Sequence, residues 1–164
     1  MPLAGDLIMI YSISYMVIEN LIILFNRDLN KLYNEIKLYQ NEEAICKTDK
    51  QILNSAGNLC LHLIGNLNTY IGKEIGNTGY ERNRPLEFSL KNIPRPGLLE
   101  MLKQTIDVVN ISLEKLDDKS LETQYPVLVF EEKTSMGYLL MLLATHLTYH
   151  LGQINYHRRI IDDK

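Results

Sequence analysis

Apolar residues recur at intervals of three and four in four separate stretches of this chain, and a sustained alternation at intervals of two appears nowhere in it. Residues three and four apart share one face of an α-helix, whereas a half-buried strand needs every second residue apolar. The pattern points to an all-α fold, a four-helix bundle. The first stretch runs from about Leu3 to Gln40, with a bend expected over so long a span. The second opens at Asn54 and Ser55, whose short polar side chains suit an N-cap, and carries Leu59, His62, Leu63, Asn66 and Tyr70 on one side. Gly72 and the GNTG of 76–79 mark its end. The third begins at Pro94-Arg95-Pro96, because proline in a first helical turn gives up no hydrogen bond. Leu98, Leu102, Ile106, Val109, Leu113 and Leu116 follow on one stripe. The fourth opens near Thr134 and Ser135 and continues to about Ile161, with Leu139, Leu143, His146, His150, Ile154, His157 and Ile161 in line.

The 164 residues suit a single domain, 1–164, with a sizeable core. The links between helices are long enough to cross the end of a bundle, so the expected topology has long crossover connections. Segments 75–94 and 117–133 are the longest of these links, both ordered. The stretch GYERNRPLEFSLKN gathers Glu81, Arg82, Arg84 and Glu87 with Tyr80 and Phe88; it reads either as a flap over a pocket mouth or as an ordered surface loop.

A net charge of −3 provides neither the basic footprint of a nucleic-acid binder nor a polybasic membrane patch. Cys46 and Cys60 cannot form a disulfide framework, and reduced thiols in a cytoplasm are the simplest reading. The apolar run Leu7–Ile18 follows no basic residue and is broken by Asp6, Glu19 and Asn20, so it reads as a core helix rather than a signal or a membrane span. Ile8, Ile10, Tyr11 and Tyr15 exceed what one buried stripe needs, and a homodimer interface is expected to cover part of that surplus.

Three of the four histidines stand out. His146 and His150, four apart, sit one turn above each other and can aim two nitrogens at one point. Two ligands hold a metal weakly, and His62, on the inward side of the second helix, is the candidate third. A hydrogen-bonded seam with Asn66, Tyr70 and Gln153 would satisfy the same buried imidazoles without a metal. His157 lies about 10 Å along the axis from His150 and reads as structural or capping, beside Arg158 and Arg159. The zinc-protease helix signature is absent, since Leu147 stands where it needs a glutamate. The Glu-x-x-His elements of di-iron bundles are absent too, with Glu19 and Glu35 isolated and expected in solvent.

The segments NSAGNLCLHLIGNLNTYIG (54–72), GYERNRPLEFS (79–89), YP (125–126) and HLTYHLGQINYHRR (146–159) together resemble the DinB-like superfamily, closest to a branch of unknown function. The resemblance runs from about Arg27 to Arg159, and its most specific element is the H-x-x-x-H followed by x-G-Q. It implies a four-helix bundle holding a divalent metal, zinc or nickel, on His62, His146 and His150. It also implies a dimer. Relatives in other branches include bacillithiol-dependent thiol transferases and a mycothiol-dependent isomerase, which makes a low-molecular-weight thiol or other small molecule the expected partner.

Three neutral ligands leave an open position, the mark of a catalytic rather than a structural site. A metal there would activate a thiol for S-transfer or a water for hydrolysis. No general base is evident: Tyr149 points about 100° away from His150 around the helix, and Asn66, Tyr70 and Gln153 are second-layer or pocket candidates. Cys60, two residues before His62, falls on the far side of its helix and is expected to be buried and inert. The alternative is a non-catalytic helical dimer whose metal is structural or vestigial.

Overall fold

The computed structural model describes residues 4–117 and 119–162, with side chains from residue 17 onward. Four long helices carry the fold: α1 (Ala4–Lys37), α2 (Ala56–Leu67), α4 (Arg95–Leu113) and α5 (Met136–Ile161). A fifth, short helix, α3 (Arg84–Ser89), lies inside the link that follows α2. No strand occurs among the described residues, only the lone bridges Asp49–Ile52 and Gln124–Ser135. None of the described helices is long and apolar enough to cross a membrane.

The expected starts are where the sequence puts them. Ser55 caps α2 by accepting from the Asn58 backbone N–H at 3.2 Å, and Ser135 caps α5 by accepting from Tyr138 at 3.2 Å. The helix at Arg95 begins with proline in its first turn. α1 is one helix to Lys37, and its buried residues Ile18, Leu21, Phe25, Leu29, Leu32 and Ile36 step by three and four. The surplus apolar residues Ile8, Ile10, Tyr11 and Tyr15 lie outside the side chains described.

α2 differs from the others because all twelve of its residues are buried, as in a helix covered on every side. Both α1 and α2 pack against α4 and α5, which makes the order around the bundle α1, α4, α2, α5. Helices α1 and α2 therefore stand diagonally, as do α4 and α5, and the links between them cross the bundle ends. Beyond Leu67, α2 widens into a π turn, Asn68–Lys73. There Asn68 donates to the Ile64 carbonyl at 2.9 Å and to Thr105 Oγ1 at 2.8 Å, tying the wide turn to α4.

Two expectations at the far end of α5 need correction. Glu35 is not isolated in solvent: Arg158 Nε donates to it at 2.8 Å and Asn155 at 2.7 Å, joining α1 to α5, while Glu19 is exposed as expected. His157 is structural, but it is no charged cap. Only 3% exposed, it donates from Nε2 to the Lys47 carbonyl at 2.8 Å. Its Nδ1 accepts from the Tyr39 hydroxyl at 2.7 Å, so the ring is neutral, and burial holds its pKa below the ordinary 6.5.

The unfolded chain thus binds this proton more readily than the folded one. The stability tied to His157 is complete above pH 6.5 and declines as pH falls through the lower folded value. His157→Ala, which orphans the buried Tyr39 hydroxyl and opens a cavity, should cost about 3 kcal/mol in urea unfolding at neutral pH. The variant should also lose less stability than wild type on acidification below 6.5. Unchanged stability at neutral pH would contradict this role.

Candidate metal centre

α2 and α5 lie side by side, and α2 turns His62 toward the face of α5 on which His146 and His150 stand one turn apart. One ring nitrogen from each of the three histidines falls within 4.8 Å of the other two. His62 Nε2 and His146 Nε2 are 3.1 Å apart. Two nitrogens each 2.0–2.1 Å from a shared ion are separated by about 2.9 Å at a right-angled geometry and about 3.4 Å at a tetrahedral one, so this spacing suits a common ion. The rings stand edge-on to one another, with interplanar angles of 81°, 84° and 89°. Among the described residues this is the only group of three or more such side chains that can hold a metal.

The surroundings place the ring protons of two of the three histidines. Glu87, 6% exposed, brings Oε2 to 3.0 Å from His62 Nδ1. A carboxylate only accepts, so His62 carries its proton on Nδ1 and leaves Nε2 bare. The Gln153 carbonyl oxygen lies 2.7 Å from His150 Nδ1, which likewise takes the proton and frees Nε2. Burial lowers the pKa of His62, and burial with the neighbouring imidazoles lowers that of His146 to about 4. Both are neutral at physiological pH, as ligands must be. Three imidazole nitrogens within reach of one point, with no acid among them, form a donor set that fits a divalent cation.

Glu87 is the residue that sequence reasoning missed. It sits on α3, and Arg82 grips it with two bonds, Nε to Oε1 at 2.6 Å and Nη2 to Oε2 at 2.9 Å. The link holding Arg82 and Glu87 is therefore neither a plain loop nor only a lid; its short helix supplies the acceptor behind His62. Asn58 anchors it by donating to the Glu87 and Leu90 carbonyls at 2.9 and 3.0 Å. Gly65, one turn beyond His62, makes room: a Cβ there would collide with Glu87 Oε1 and come within 2.9 Å of its carboxyl carbon. The one available signal was the pairing of a glycine three residues after an inward histidine with a buried-capable acid downstream.

A cavity of about 680 Å³ opens on His62 and His146. Asn66 and Tyr70 line it, and Asn66 Oδ1 is buried with no hydrogen-bond partner. Gln153 lies outside that lining and acts through His150. Tyr149 also lines the cavity, its ring edge-on to His150 at 5.1 Å between centroids. Cys60 is fully buried and its thiol pKa is pushed up by burial, in keeping with inertness.

The fold and site define a helical protein with a cluster of three histidines, one buried and two half-buried, beside a cavity. The chain belongs to the family described as a protein of unknown function (DUF1572), whose model matches residues 16–164. No curated protein and no solved structure shows significant similarity to it.

Proposed function

We propose that His62, His146 and His150 hold one divalent ion, zinc or nickel, in the DinB-like manner. In this reading the chain is a metal-dependent enzyme of the thiol S-transfer or hydrolase type. The observation that carries it is the convergence of three imidazoles, two with their outer nitrogens engaged, beside an open cavity. An ion there supplies Lewis acidity to whatever sulfur or oxygen donor enters beside it.

The chain's own residues do the rest. Glu87 keeps the His62 proton on Nδ1, Arg82 holds Glu87 in place, and Gln153 does for His150 what Glu87 does for His62. Asn66, one turn beyond His62, has an unfilled acceptor beside the site. The apolar wall of Val129, Phe130 and Leu142 excludes water from an entering molecule.

The structural-metal reading is less well supported, because closed sites use four protein ligands and no fourth joins the group among the described residues. Cobalt-substituted protein tests the difference. Addition of 2-mercaptoethanol should change the visible and near-ultraviolet bands as sulfur enters the open position. A spectrum indifferent to thiol and to other small ligands would mean a closed shell and sink the enzyme reading.

A further inference from the structure

We infer that the ligand of this cavity is an amphipathic small carboxylate, whose anionic group is bound by Arg84; the inference rests on the metal reading above and names its substrate class. Two guanidinium groups line the cavity, from Arg82 and Arg84, and no carboxylate does. Their situations differ. Arg82 is spent on Glu87, which neutralises it through two short bonds. Arg84 is exposed and makes no hydrogen bond or ion pair with any described residue.

The nearest acids in sequence do not serve Arg84: Glu87 is engaged with Arg82 and His62, and Glu81 forms no ion pair with it. An unpaired guanidinium lining the cavity, together with a divalent ion held by the histidines, would give the cavity a positive field that no lining side chain offsets. Such a field concentrates anions, and a planar guanidinium can hold both oxygens of a carboxylate. Val129, Phe130 and Leu142 line the same cavity and offer apolar surface, so the body of the ligand is a hydrocarbon rather than a polyol. The volume, about 680 Å³, lies in the range that encloses a small organic molecule.

The test compares mercaptohexanoate with mercaptohexanol of the same chain length, which share a metal-seeking thiol and differ in the terminal charge. Affinities are measured by calorimetry on zinc-loaded full-length protein whose metal content is determined in the same samples. Wild type should bind the carboxylate about tenfold tighter or more, as expected for one charge-assisted hydrogen-bonded pair. Arg84→Gln should abolish that preference while leaving mercaptohexanol affinity unchanged, and Arg84→Lys should retain part of it. Equal affinities in wild type, or a preference that survives Arg84→Gln, would overturn the inference and leave the metal site standing. A protein that takes up no ion would overturn both.

Discussion

Glu87→Ala is expected to destabilise the protein by about 3 kcal/mol and to weaken metal binding by roughly ten- to a hundredfold. The first effect follows from burial. Glu87 and Arg82 have side chains 7% and 15% exposed, so removing the carboxylate leaves a guanidinium with little water to replace its partner. Breaking a buried pair by deleting one member typically costs about 3–5 kcal/mol; the partial exposure of Arg82 argues for the lower end. In a chain of this length that corresponds to a melting temperature lower by roughly 6–12 °C.

The second effect follows from the tautomer. Without the Glu87 acceptor, the His62 proton is no longer held on Nδ1, and the ring is free to carry it on Nε2 or to turn. Glu87→Gln separates the two contributions, since its carbonyl can still accept from His62 while the charge opposite Arg82 is lost. It should be destabilised yet bind the ion better than the alanine variant. Gly65→Ala reaches the same contact from the other side: the added methyl collides with the Glu87 carboxylate, and ion affinity should fall although no ligand or acceptor is removed. Thermal melts and competition with a coloured chelator measure both quantities. Unaltered stability and unaltered ion affinity in Glu87→Ala would refute its place in the site.

The parts of this molecule that sequence periodicity carries are the long helices and the histidine face of α5. Each has a stripe long enough, and caps distinct enough, to be read locally: Ser55, Ser135 and Pro96 sit where helix physics needs them. The bundle order was not readable, because α2 is buried on all sides and shows no polar face to orient it. Glu87 was hidden for a related reason. Its burial depends on Gly65 and Asn58 across a gap in sequence, and an acidic residue in a charged link otherwise reads as solvated. Glu35 escaped in the same way, its partners Asn155 and Arg158 lying on a helix remote in the chain. That Tyr149 lines the cavity was not readable either, because Val129 and Phe130 of the same lining come from a link outside its own helix.

The central claim is that His62, His146 and His150 jointly hold one ion, and an alanine series tests it most directly. Metal content is measured on protein isolated without a histidine tag, before and after dialysis against chelator and return of zinc or nickel. Wild type and His157→Ala should each take up one ion per chain, since His157 spends both nitrogens on Tyr39 and Lys47. His62→Ala, His146→Ala and His150→Ala should each lose most of it, and by similar amounts, because two remaining imidazoles seldom keep a divalent ion from a chelator. Binding to the folded state alone also adds stability, about 2.7 kcal/mol when free ion is at one hundred times its dissociation constant. Added metal should therefore raise the melting temperature of wild type and of His157→Ala and leave the three triad variants nearly unmoved. Metal content and melting temperature indifferent to chelator in wild type, with no distinction between His157→Ala and the other three, would contradict the account.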